Sequence, residues 1–151
     1  CYGTFWNQDF LLSPLKAKAE DMRPKGIMLS YPVITSDPAY AHMGSFKMLL
    51  GENYEAEAKK VSIEKQVTEA MPPCFMWHTM EDQTVPVENS LMLTAALRKE
   101  RVPAELHIFP EGEHGLSLAS PIVERASGAG VQAECAQWAA LADAWLRRLF
   151  R

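Results

Sequence analysis

Pro73-Cys-Phe-Met-Trp-His-Thr79 runs directly into the acidic turn Met80-Glu81-Asp82-Gln83 and then Val85-Pro86. A short, nearly continuous apolar run closed by a turn reads as a strand buried on both faces, the kind found in parallel sheets. Proline suits the first turn of a helix, and one is expected from about Val87 to Glu100. Its inward face is read as Leu91, Ala95 and Leu93 or Leu97, with Arg98, Lys99 and Arg101 at the end where cations favour the helix dipole. A second strand follows at Ala104–Phe109, where Leu106 and Ile108 alternate with Glu105 and His107, as on a strand near a sheet edge. Strand, helix, strand is the connectivity of a parallel crossover unit.

Outward from this unit the same rhythm continues. Upstream, Gly26-Ile-Met-Leu-Ser30-Tyr-Pro-Val33 is apolar and bounded by breakers, as a buried strand should be. A helix is expected before it, from Pro14 to Met22, with Ser13 as its cap. Residues 34–70 are too long for a plain connection and read as a lid or cap of short helices, with one further helix near Ser62 to Ala70 packing on the sheet. Downstream, Gln132 to Leu149 reads as a long helix whose Trp138, Leu141, Trp145 and Leu149 form a broad apolar stripe. The fold class is α/β, with about three parallel strands. So few strands are a small sheet for the apolar helix faces they must cover.

Composition narrows the chemistry. The chain has 151 residues, 48% hydrophobic and 23% charged, which excludes disorder, collagen and coiled coil and describes a soluble globular domain. A net charge of −4 and the lack of a basic block leave no field suited to nucleic acid or an anionic membrane. No apolar run is long enough to span a bilayer. The first residues, Cys1 to Asp9, lack the basic and apolar regions of a signal peptide, so cytoplasm and secretion both stay open as compartments. Cys1, Cys74 and Cys135 are read as free thiols, since three dispersed cysteines build neither a disulfide scaffold nor a metal motif. No metal and no cofactor is expected. Small-molecule chemistry is the starting point.

In open parallel sheets the reactive groups gather at the carboxyl ends of the strands. There the sequence offers Asp82 after one strand and His114, in Pro110-Glu-Gly-Glu-His114-Gly115, after the next, 32 residues on. Neighbouring strands joined by one helix place these loops side by side. A carboxylate that orients an imidazole is half of a nucleophile, histidine and acid relay. The plainer alternative is a helix-capping Asp82 and an exposed loop histidine. Glu81, Glu111 and Glu113 are competing acids. Of the other histidines, His78 reads as a satisfied buried residue near the acid loop, His107 as a surface residue and His42 as solvated or capping. Met28, Met76 and Met92 read as core fillers, Tyr2, Phe5 and Trp6 as packing residues, and Ser30 as buried in mid-strand.

Pro72 through Leu91, Phe109 through Gly115, Ile27 through Thr35 and Gly44 through Gly51 together resemble the C-terminal half of an α/β-hydrolase esterase of the acetyl-xylan-esterase and BD-FAE-like (feruloyl and acetyl esterase) group. The resemblance implies an α/β-hydrolase sheet, with residues 1–151 as one partial domain and 34–70 as its lid insertion. It implies Asp82 and His114 as acid and histidine, and a small-molecule or carbohydrate ester as substrate. His42 and Trp6 are then the candidates for substrate contact. These enzymes carry their serine in Gly-x-Ser-x-Gly, yet none of the nine serines here has glycine two residues before and two after. A segment similar to Gly3-Thr-Phe-Trp6-Asn7 follows the nucleophile helix in that group, which places the serine shortly before Cys1. The expectation is therefore an inactive isolated chain, requiring the nucleophile-bearing half. A peptidase or dienelactone-type hydrolase of the same fold is an alternative, as is a non-catalytic module that folds by sharing elements with a second copy.

Overall fold

The computed structural model describes residues 23–151 together with Ser13, Pro14, Lys16, Lys18 and Asp21. Trp6, Tyr2, Phe5 and Cys1, and most of the expected helix from Pro14 to Met22, lie outside the described residues.

Three parallel strands, β1 (Ile27–Ser30), β2 (Cys74–Thr79) and β3 (Ala104–Phe109), form one sheet in the order β1-β2-β3. Ile27 pairs with Cys74 on one side, and Cys74 with Ala104 on the other. β2 is central and buried along its whole length. Side chains alternate across a strand, so β2 feeds two cores at once. Cys74 and Met76 meet Ile34, Leu93, Leu97 and Val102 on one face. Phe75 and Trp77 meet Leu116, Ala119, Cys135, Ala142 and Trp145 on the other.

Helices α1 (Met43–Leu50), α2 (Tyr54–Glu57), α3 (Glu88–Lys99) and α4 (Trp138–Leu149) accompany the strands. α3 covers the first core with Leu93 and Leu97, four residues apart and fully buried. Leu91, expected inward, is 44% exposed, and Ala95 is exposed as well. The inward stripe instead follows the 89, 90, 93, 97 face, because buried polar residues Asn89 and Ser90 occupy its first turn. α4 covers the second core as its stripe predicts. Trp145 packs on Phe75 at 5.8 Å between ring centres, with Trp138, Leu141 and Leu149 half-buried beside it. It begins at Trp138, preceded by a 3-10 turn over Cys135–Gln137, so the helix is shorter than the Gln132 start expected from the sequence.

β1 also stops early. Tyr31 adopts a left-handed φ of 39°, and the N–H groups of Ile34 and Thr35 are donated to Asn89 Oδ1 in place of a strand partner. With one neighbouring strand among the described residues, β1 is only partly covered, and Met28 is 42% exposed where a core position was expected. Segment 34–70 does form short helices, but the expected helix from Ser62 to Ala70 reduces to a 3-10 turn at Ile63–Lys65. Ser62 is extended and buried, its hydroxyl bonded to Ser36, while Glu64 accepts from Thr35 Oγ1 at 2.9 Å. Those side-chain bonds fix a loop geometry that helical dihedrals would break, and Pro72 disfavours helix at Met71. Cys74 and Cys135 are free and buried, and burial pushes both thiols up to about 11, which makes them poor nucleophiles.

Candidate active site

Asp82 sits in the turn that leaves the carboxyl end of β2, and its side chain is fully buried. Its Oδ1 accepts the backbone N–H groups of Thr84 at 2.9 Å and Val85 at 2.8 Å, an Asx-type turn that sets the carboxylate plane. It does not cap α3, whose N-cap position is Val87 and carries no side-chain cap. With Oδ1 satisfied by amides, Oδ2 faces out of the turn and lies 2.7 Å from His114 Nδ1.

His114 arrives from the loop after β3. Gly112 has φ +135°, and a Cβ there would stand 2.8 Å from Leu116 Cδ1 and 3.0 Å from Thr79 Cγ2, so only glycine lets the loop lie this close to β2. Thr79 Oγ1 donates to the Gly112 carbonyl at 2.8 Å and ties the two strand ends together. Beyond the histidine, Arg125 donates to the Gly115 carbonyl and pairs with Glu113 at 3.0 Å. The competing acids are thereby engaged elsewhere: Glu113 with Arg125, Glu81 toward the Gly112 N–H at 3.4 Å, and Glu111 exposed, with its carbonyl accepting from the Cys135 thiol. A carboxylate on Nδ1 places the proton there, leaving Nε2 as the basic nitrogen. The His114 side chain is 30% exposed, and Nε2 has no hydrogen-bond partner among the described residues.

Two contacts around this pair were not legible as motifs. Tyr31, at the end of β1, sets its ring edge-on to the His114 imidazole, 4.7 Å between centres. His78, in β2, lies buried beneath Asp82, with Nε2 2.8 Å from the Val85 carbonyl and 3.3 Å from Asp82 Oδ2. Its Nδ1 meets Ser90 Oγ at 2.8 Å. Ser90, His78 and Asp82 thus form a second serine, histidine and acid string, but Ser90 and His78 are completely buried and an ester has no access to them. Its role is to satisfy the floor of the acid turn, in line with the reading of His78 as a satisfied buried histidine.

Burial, the leading effect, holds the His78 pKa below 6.5 despite the Val85 carbonyl and Asp82, which act the other way. The unfolded chain therefore takes up a proton near pH 6.5 that the folded chain refuses. Stability is lost as pH falls from about 6.5 toward the lowered value, with a slope of up to about 1.4 kcal/mol per pH unit for this one group. Urea midpoints measured between pH 7.5 and 5 are expected to show this loss, and His78→Gln, which does not titrate there, to flatten it. A slope unchanged by that substitution would assign the acid sensitivity to other groups.

The remaining candidates make no bond to the pair among the described residues. His42 occupies the N-cap position of α1, and its Nδ1 meets Ser45 Oγ at 2.8 Å within the same turn, with no bond to Asp82 or His114 among the described residues. His107 is half-buried rather than a free surface residue, bonded to Glu105 at 2.9 Å and packed 5.4 Å from the Phe75 ring. Ser30 stands at the end of β1, where its hydroxyl accepts the Trp77 indole N–H at 2.7 Å. Among the described residues no group of three histidine, cysteine or acidic side chains could hold a metal ion, and no helix is long and apolar enough to cross a membrane.

A parallel sheet with helices on both faces, and an acid and a histidine meeting beyond the carboxyl ends of adjacent strands, define an α/β-hydrolase. The chain belongs to the prolyl oligopeptidase family, whose sequence pattern matches residues 28–147. It is 48% identical over 99 residues to the endo-1,4-beta-xylanase B of Butyrivibrio fibrisolvens, covering 65% of this chain and 15% of that one. Against the acetylxylan esterase of Xylanibacter ruminicola the identity is 29% over 105 residues, covering 66% of this chain and 22% of the relative. The solved structure of an acetyl ester-xyloside bifunctional hydrolase from Caldicellulosiruptor lactoaceticus superposes with a TM-score of 0.72 at 44% identity, covering 84% of this chain and 43% of that one. The chain thus spans less than a quarter of each curated relative and under half of the solved one. It is an esterase-like α/β-hydrolase sequence with xylan-esterase relatives.

Proposed function

We propose that these residues supply the acid and the histidine of a serine esterase that cleaves carboxylic esters of the acetyl or feruloyl type, with carbohydrate-borne esters as the substrate class. The observation that carries this reading is the 2.7 Å contact between Asp82 Oδ2 and His114 Nδ1, in a histidine whose side chain is partly exposed. In the reaction, His114 Nε2 takes the proton of a serine hydroxyl as its oxygen bonds to the ester carbonyl carbon. The resulting imidazolium, stabilised by Asp82, returns that proton to the departing alkoxide as the carbon to alkoxide bond breaks. Water, deprotonated by the same nitrogen, then releases the acid and restores the serine. The serine is supplied from a Gly-x-Ser-x-Gly turn outside these 151 residues, as are the oxyanion donors. The names of the acetylxylan esterase and acetyl ester-xyloside relatives support ester over amide chemistry, and that of the xylanase supports a carbohydrate substrate, although the family takes its description from a peptidase.

The pure 151-residue chain is accordingly expected to show no burst and no serine-dependent turnover of p-nitrophenyl acetate. Adding or fusing the serine-bearing segment is expected to create that activity. Burst-type turnover by the chain alone, or peptide hydrolysis without ester hydrolysis by the joined protein, would overturn the reading.

A further inference from the structure

We propose that Tyr31 is a positioning residue for His114, clamping the imidazole and the loop behind it against β2; the proposal rests on the esterase reading of the Asp82 and His114 pair. Tyr31 is a non-glycine residue held at φ 39°, a left-handed conformation that bulky side chains seldom adopt. Such an outlier persists only where surrounding contacts fix it. Here the contacts are on both ends of the residue. Its backbone N–H donates to the Trp77 carbonyl at 2.8 Å, extending the pairing of β1 with β2 by one residue. Its ring stands edge-on to Trp77 at 5.1 Å and to His114 at 4.7 Å, filling the space between the central strand and the imidazole. Its hydroxyl oxygen accepts the N–H of Ser117 at 3.1 Å.

Ser117 follows His114 by three residues and is itself left-handed at φ 53°. Its carbonyl accepts the Trp138 indole N–H at 2.9 Å, and Trp138 stacks on Trp77, 5.3 Å apart and 11° from parallel. One residue of the histidine loop, Ser117, is therefore held at its N–H and at its carbonyl by aromatic residues that share Trp77 as their support. Aspartate fixes only Nδ1, which leaves the ring free to rock about that bond; the tyrosine ring packed against it removes this freedom. A relay histidine must place Nε2 to within a fraction of an ångström of its donor. Tyr31 contributes that restraint without touching substrate.

The hydrogen-bonded Nδ1–H of His114 is expected to give a strongly downfield proton signal, readable in the isolated chain without any catalysis. Asp82→Asn tests the underlying pair: if the signal survives that change, the reading of the pair is wrong irrespective of Tyr31. Tyr31→Phe deletes one hydrogen bond and is expected to speed exchange of the Nδ1–H with water about tenfold. Tyr31→Asn removes the ring while tolerating the left-handed backbone, and is expected to lose the signal to exchange. In the protein joined to its serine-bearing segment, Tyr31→Phe is expected to lower kcat several-fold with KM unchanged, since a positioning residue acts on the reacting histidine and not on ester binding. Exchange in Tyr31→Phe equal to the parent, or a change confined to KM, would overturn the proposal; should Tyr31→Asn fail to fold, Tyr31→Phe alone decides.

Discussion

Replacing His114 by alanine, in a protein that joins this region to its serine-bearing segment, is expected to lower kcat/KM on aryl acetates by about 10⁴- to 10⁶-fold. Without the imidazole the serine hydroxyl has no base within reach, and what remains is binding and oxyanion stabilisation. Asp82→Asn is expected to cost about 10³- to 10⁴-fold. The amide keeps the size of the side chain and can keep accepting the Thr84 and Val85 N–H groups through its oxygen. It then turns an N–H₂ toward Nδ1, favouring the wrong tautomer and removing the charge that stabilises the imidazolium. Both variants should fold. His114 is partly exposed and lies outside the two packed cores, so its thermal midpoint is expected to stay near the parent's. Circular dichroism melts alongside initial rates separate lost chemistry from lost structure, and a His114→Ala enzyme within tenfold of its parent would remove His114 from the mechanism.

That pair was readable in the sequence because the physics that places it is local and periodic. β2 announces itself by an unbroken apolar run, β3 by alternation, and one helix between them fixes the two strands as neighbours. The acid and histidine then follow as the polar residues just past each strand end. The strand-end position favours Asp82 over Glu81, Glu111 and Glu113 only modestly, and the resemblance to esterases is what selects it. In the structure Asp82 is the one of the four that is buried, with one oxygen bonded to the amides of its own turn and the other 2.7 Å from His114.

What escaped the sequence depends on contacts between distant segments. Nothing local in Ser30-Tyr31-Pro32 indicates that Tyr31 turns left-handed, because the cause is its packing against Trp77, His114 and Ser117, the last 86 residues away. The shortened β1 and the missing helix after Ser62 have the same origin: side chains of Asn89, Ser36 and Thr35 bond the backbone or side chains of these segments and override their local preferences. On α3 the periodicity places Leu93 and Leu97 correctly but puts Leu91 and Ala95 on the wrong face, for a related reason. A periodicity search counts apolar residues, whereas the inward face of its first turn is polar, with Asn89 and Ser90 completely buried.

Asn89→Leu is therefore expected to be the most destabilising of the conservative-volume changes at this end of the sheet. Asn89 Oδ1 accepts the N–H groups of Ile34 and Thr35 at 2.9 and 3.0 Å, and Nδ2 donates to the Tyr40 and Pro86 carbonyls at 2.9 and 3.0 Å. Pro86 keeps a partner in the Asn89 N–H, so leucine leaves three backbone groups without theirs. At roughly 1–3 kcal/mol for each buried polar group left unpaired, and with partial rescue by entering water, the loss should be about 3–5 kcal/mol. That is a large part of the 5–15 kcal/mol typical of a whole domain. Leu91→Ala, two residues along the same helix but 44% exposed, is expected to change stability by less than about 1 kcal/mol. Denaturant midpoints give the comparison, and equal shifts for the two variants would refute it. Amide exchange should accelerate first in residues 34–41, the stretch that Asn89 moors. Because that stretch begins three residues after Tyr31, its release should loosen the clamp on His114 before the sheet itself gives way, so the joined enzyme carrying Asn89→Leu is expected to lose activity at denaturant concentrations where β2 and β3 remain protected.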